Sequence, residues 1–136
     1  DVAILNLGTR LEKCIEANKF LNKNNIYPTI ADARFAKPLD TQLIDNLLNN
    51  HKYILTIEEG SIGGFSSHVL HYIHNIRSKQ DNVVIKNLIF PDRFVEHMTP
   101  DEQYKDIKMD TESIIKKINN FYENKIVDIK NFKLKV

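Results

Sequence analysis

The sequence predicts an α/β domain of three layers, helices on both faces of a mainly parallel sheet. Two observations carry this reading. Short apolar, β-branched runs alternate with segments of helical period along the chain, which is the signature of βαβ units. The strand runs read as continuously apolar, as strands covered on both faces do. A third observation follows from the first two. The polar and glycine-rich segments fall just after the strands, where α/β sheets place their sites.

Each element has its own signal. Val2-Ala3-Ile4-Leu5-Asn6-Leu7, ended by Gly8, is the first strand. Thr9-Arg10-Leu11-Glu12 fits a capping box opening a helix, with Leu11, Cys14, Ile15 and Leu21 at helical spacing and Asn24-Asn25 ending it. Tyr27 to Ala31 forms the second strand, and Arg34 to Pro38 a loop. Asp40 is an N-cap flanked by the staple pair Leu39 and Ile44, and Leu43, Ile44, Leu47 and Leu48 make the next apolar stripe. Tyr53 to Ile57 is the third strand, and a glycine-rich loop follows it. A helix from Phe65 to about Lys79 then carries Phe65, Val69, Tyr72, Ile73 and Ile76. Val83 to Phe90 is the fourth strand. Pro100-Asp101-Glu102 opens a short turn or helix, and Asp110 caps a last helix bearing Ile114, Ile115, Ile118 and Phe121. Alternation of Phe132, Leu134 and Val136 with lysines has strand period. The expected division is a domain over residues 1–122 and a C-terminal extension over 123–136.

Composition narrows the function classes. The 136 residues are 42% hydrophobic, enough for a real core without metal or disulfide staples, and one cysteine excludes an internal disulfide framework. The net charge of +1 gives no footprint for nucleic acid. No apolar run reaches the ~20 residues of a bilayer span, so no membrane partner is expected. Asn, Lys and Ile account for 48 of the residues, a bias that follows A/T-rich codons. The chain opens with Asp1 directly before an apolar strand, which reads as a piece of a longer protein.

The candidate chemistry lies on one rim. Glu58 and Glu59 are adjacent, so in extended backbone they point to opposite faces and do not form a carboxylate pair. A Glu at the strand end suits loop amides as an acceptor. Gly60-Ser61-Ile62-Gly63-Gly64 before a helix is similar to a phosphate cradle, but it lacks both G-x-G-x-x-G and the Gly-Lys-Ser/Thr of a P-loop. His68, His71 and His74 are spaced by three and spread around a helix, which is unsuited to metal ligation. Asp92-Arg93 and Glu96-His97 follow the fourth strand and read as a loop network. Arg34 and Lys37 are suited to an anion or an interdomain ion pair, and Cys14 reads as a buried thiol. No assembled catalytic set emerges, and no catalytic, cofactor-binding or metal-ligating residue is assigned.

Three stretches together resemble a known family. They are Ala31-Asp32-Ala33-Arg34-Phe35-Ala36-Lys37-Pro38-Leu39-Asp40, Glu58 through Val69, and Pro91-Asp92-Arg93-Phe94-Val95-Glu96-His97. This series is similar to the C-terminal domains of 1-deoxy-D-xylulose-5-phosphate synthases, within the wider transketolase C-terminal domain group. The resemblance runs from about Val2 to Tyr122, with Phe90 and Met98 where the family usually has Leu and Gly.

The resemblance implies a strand order of 2-1-3-4 and a further strand upstream of Val2. It also implies a full-length, homodimeric transferase that condenses pyruvate with glyceraldehyde 3-phosphate, releases CO2 and feeds isoprenoid synthesis. Thiamine diphosphate and Mg²⁺ would be held by upstream domains. This domain would pack against those domains and a second subunit, with Arg34, Glu58, Glu59, Gly60, Gly63, Gly64, His68, Asp92, Arg93, Glu96 and His97 as structural or interface residues. The implied location is a plastid-type organelle in a eukaryote and the cytoplasm in a bacterium. The competing expectation is a free-standing α/β module that binds a phosphorylated ligand at the loop 60–64.

Overall fold

The computed structural model describes residues 1–77 and 82–122. The expected strand period of the tail, Phe132, Leu134 and Val136 included, and the expected end of the third helix lie outside the described residues. The elements are β1 (Val2–Leu7), α1 (Leu11–Lys23), β2 (Thr29–Asp32), α2 (Thr41–Asn50), β3 (Tyr53–Glu58), α3 (Phe65–His71), β4 (Val84–Leu88), α4 (Pro100–Asp106) and α5 (Thr111–Asn119). The four strands form one parallel sheet in the order β2-β1-β3-β4, as expected.

Strand alternation sorts the core into two halves. Val2, Ile4, Leu55 and Ile57 face one side and pack with Cys14, Ala17 and Leu21 of α1 and Ile114, Ile115 and Ile118 of α5. Ala3, Leu5 and Ile54 face the other and pack with Ile44, Leu47 and Leu48 of α2 and Phe65 and Val69 of α3. Helices thus cover both faces of the sheet. The central strands are buried along nearly their whole length, which is why they read as unbroken apolar runs.

Several local expectations change. Asp40 does cap α2, its Oδ1 accepting from the Leu43 amide at 2.9 Å, with Leu39 and Ile44 in one cluster. The capping box at Thr9, however, does not form. Arg10 occupies the N-cap of α1 without a side-chain cap bond, and the Thr9 hydroxyl donates to Glu59 instead, at 2.6 Å. The helix begins one residue later than the box requires, with Arg10 in helical conformation at its N-cap, so the Thr9 oxygen is not placed to accept from the first-turn amides. The capping box that does form joins Thr99 and Glu102 at the start of α4. Asp110 takes the N-cap position of α5, again without a side-chain cap bond.

Ile15 is 41% exposed, because the buried face of α1 follows Cys14, Ala17 and Leu21 and leaves Ile15 to one side. The third helix passes after His71 into a π-helical turn over Tyr72–Ile76, closed by the bond from Arg77 N to Tyr72 O. The wider turn shifts the helical phase, so Ile76 is 63% exposed rather than on the apolar stripe. β2 starts at Thr29 rather than Tyr27, since Pro28 has no N–H to give to a ladder. β4 spans less than the predicted Val83 to Phe90. Phe121 lies beyond α5 but remains buried, its ring 4.9 Å from that of Tyr53.

Candidate functional site

The carboxyl ends of β1 and β3 build the most polar part of the rim. Glu58 and Glu59 do diverge. Glu58 is 5% exposed and turns toward α3, where its two oxygens accept from the Phe65 and Ser66 amides, each at 2.7 Å. A helix start leaves amides without intrahelical partners, and this one carboxylate satisfies two of them. Gly63 N donates to Ser67 Oγ at 2.9 Å and Gly64 N to Ser61 O at 3.1 Å. Gly60 O accepts from Phe90 N at 2.8 Å, which ties this loop to the one after β4. The four amides from Gly63 to Ser66, those a phosphate would need, are therefore all engaged by the chain itself.

Two glycine positions have definite physical reasons. Gly63 sits at φ +100° with open space where a side chain would go. Gly64 is extended, and a Cβ there would stand 3.0 Å from the Glu58 carboxyl carbon and closer still to Oε2. The first needs left-handed backbone and the second needs room.

Glu59 turns to the opposite side and gathers three segments. It accepts from the Thr9 hydroxyl at 2.6 Å, the Thr9 amide at 3.4 Å and the Tyr104 hydroxyl of α4. Arg10 Nε lies 3.3 Å from Oε1 as an ion pair, and the guanidinium stacks 3.4 Å from the Tyr104 ring centroid. Burial raises the Glu59 pKa, but the Thr9 and Tyr104 bonds and the Arg10 charge outweigh it and hold the group below its ordinary value. The bond to Glu59, then burial, raises that of Tyr104. Because Glu59 is depressed in the folded state, its stabilisation is complete above the ordinary carboxylate range and is lost as pH falls through the folded value. The expected result is a steeper loss of stability below about pH 4 in the wild type than in Glu59→Gln. Tyr104→Phe should cost about 1 kcal/mol at neutral pH. Thermal melts across a pH series check both.

The other predicted residues are dispersed. Arg34 is exposed at φ +60°, its amide donating to Asp32 Oδ1 at 3.2 Å. Arg93 pairs not with Asp92 but with Asp106, at 2.5 Å, and donates to Phe94 O. Glu96 offers its backbone oxygen to Gln103, and no bond among the described residues joins its carboxylate to His97. His68 and His71 line a groove, while His74 is exposed. Cys14 is fully buried, and burial pushes its thiol pKa up to about 12, so it has no thiolate character. Sequence reasoning missed Tyr104; its only signal is an aromatic residue in an otherwise polar helix.

A thiamine diphosphate site needs donors for a pyrophosphate and a divalent cation. Among the described residues no group of three His, Cys, Asp or Glu side chains could hold a metal ion, and the glycine loop's amides are spent. These residues do not fit that cofactor. Nor is any helix among them long and apolar enough to cross a membrane.

Comparisons with known proteins agree with the topology. The chain is 43% identical over 105 residues to the probable 1-deoxy-D-xylulose-5-phosphate synthase 2, chloroplastic, of Oryza sativa subsp. japonica, a match covering 77% of this chain and 15% of the rice protein. Two crystal structures of transketolase mutants from Pichia stipitis superpose with a TM-score of 0.61 at 19% identity, covering 92% of this chain and 17% of theirs. The chain therefore spans about a sixth of the length of these relatives. The sequence model of the transketolase C-terminal domain matches residues 1–114. With the parallel 2-1-3-4 sheet, this shows that the chain belongs to the transketolase C-terminal domain family.

Proposed function

We propose that this chain is the C-terminal domain of a thiamine-diphosphate-dependent, homodimeric transferase, a 1-deoxy-D-xylulose-5-phosphate synthase. The whole enzyme would join pyruvate to glyceraldehyde 3-phosphate with loss of CO2, in isoprenoid precursor synthesis. Upstream domains would hold thiamine diphosphate and Mg²⁺, and this domain would serve interdomain and dimer packing. The chloroplastic rice relative supports a plastid-type location in a eukaryotic source.

The observation that carries the non-catalytic role is Glu58. Its carboxylate occupies the place where a phosphate would meet the loop and the start of α3. The same observation counts against the phosphorylated-ligand reading of Gly60, Gly63 and Gly64. Glu59 likewise spends its oxygens on Thr9, Arg10 and Tyr104 and is bound as a brace.

The isolated chain is expected to fold, to make no product, and to show no tight binding of thiamine diphosphate or of simple nucleotides by calorimetric titration. Turnover by the pure chain would overturn the reading, and tight nucleotide binding lost on altering Gly63 would favour the alternative. In the full-length enzyme, Glu59→Gln is expected to loosen this internal brace and to act on activity only at a distance. Abolished turnover with dimerisation and cofactor affinity intact would make this domain catalytic.

A further inference from the structure

From Pro91 to Asp106 no residue is buried, α4 included. The residues on either side are fixed. Phe90 N donates to Gly60 O at 2.8 Å, while Ile107 and Met109 are buried and Lys108, at φ +61°, turns the chain between them. Within the stretch the bonds are its own. Arg93 pairs with Asp106 at 2.5 Å and clasps the two ends together. Gln103 Nε2 donates to Glu96 O at 3.0 Å, and Thr99 and Glu102 form the capping box. The stretch is thus one self-bonded unit between two anchored points.

Its attachment to the sheet is narrow. Among the described residues, the one side-chain hydrogen bond that leaves it runs from the Tyr104 hydroxyl to Glu59, with the Arg10 guanidinium stacked on the same ring. Val95 and Tyr104 add partial apolar contact with the core. A cleft of about 250 Å³, lined by Lys13, Lys105 and Thr111 among others, lies between α4 and the helices α1 and α5. A unit that buries so little exposes little when it lifts, and its opening costs far less than unfolding of the sheet.

Tyr104 also closes over a particular place. The order β2-β1-β3-β4 makes the gap between the carboxyl ends of β1 and β3 the switch point of the sheet, where open α/β folds take their ligands. Thr9 and Arg10 follow β1 there, and Glu59 follows β3. Under Tyr104 the Arg10 side chain is 12% exposed and that of Glu59 21%. We infer that residues 91–106 form a hinged flap over this switch point, latched by Tyr104 to Glu59 and Arg10. The flap opens as a unit while the sheet stays folded, and it bares the acid and the base to solvent. Closed, it keeps both groups engaged with each other and with Tyr104; open, it leaves them free at the crevice.

Native-state hydrogen exchange of the chain, read amide by amide under conditions where the rate follows the opening equilibrium, tests this. The bonded amides of α4 are expected to exchange about 100-fold or more faster than those of β1 and β3. Tyr104→Phe removes the latch bond from the closed state and should speed exchange in α4 about 5-fold. Low urea should speed β1 and β3 steeply, because their opening exposes the whole core, and α4 only slightly. Amides of α4 as slow as those of the central strands, a urea dependence in α4 as steep as theirs, or an α4 indifferent to Tyr104→Phe would each overturn the proposal.

Discussion

Glu58→Ala is expected to destabilise the domain by about 2–6 kcal/mol. Two buried amides, those of Phe65 and Ser66, would lose their acceptor, and each orphaned buried donor costs about 1–3 kcal/mol. The acceptors at this loop, Ser67 Oγ and Ser61 O, are already engaged by the Gly63 and Gly64 amides. Glu58→Gln keeps one acceptor oxygen and should cost clearly less than alanine, while its amide nitrogen faces a donor. Chemical denaturation of the three proteins measures the series. An alanine variant as stable as the wild type would show that water replaces the carboxylate without penalty.

The second large effect is at the glycines, and it separates two mechanisms. Gly64→Ala puts a methyl group against a carboxylate that two 2.7 Å bonds hold in place, so relief of the contact breaks those bonds. A cost of about 1–3 kcal/mol is expected, as for overpacking. Gly63→Ala meets no atom within 4 Å and pays only for its backbone at φ +100°, about 1–3 kcal/mol. The two costs are similar, but their coupling differs. In a Glu58→Ala background the Gly64→Ala penalty should largely vanish, because the obstructing group is gone, while the Gly63→Ala penalty should persist. Double-mutant cycles by thermal melting measure this coupling. Equal additivity at both positions would mean that Gly64 is not there to make room for Glu58.

Much of this was legible before any coordinates. Gly60-Ser61-Ile62-Gly63-Gly64 after an apolar strand marked a special backbone, and the adjacency of Glu58 and Glu59 required them to diverge. Which face each would take, and what it would touch, was not legible. Glu59 meets Thr9 and Tyr104 across sequence separations of 50 and 45 residues, and no local pattern records such contacts. The Thr9 box fails because the helix starts with Arg10 at its N-cap, one residue past the motif's cap position, while Thr9 is drawn to Glu59 of another strand's loop.

By itself the sequence determined the class of fold, the order of strands and helices along the chain, and most of each helix's apolar stripe, Ile15 and Ile76 excepted, because hydrophobic period is a local property. It determined the α2 cap at Asp40 and the positions of the glycines for the same reason. Only the tertiary structure decided that Glu58 closes the loop against an outside anion and that Glu59 fastens β1, β3 and α4 together. It alone left Phe94 in water on a braced loop. These outcomes depend on competition among acceptors and donors brought together by the parallel sheet, and that competition exists only once the chain has folded.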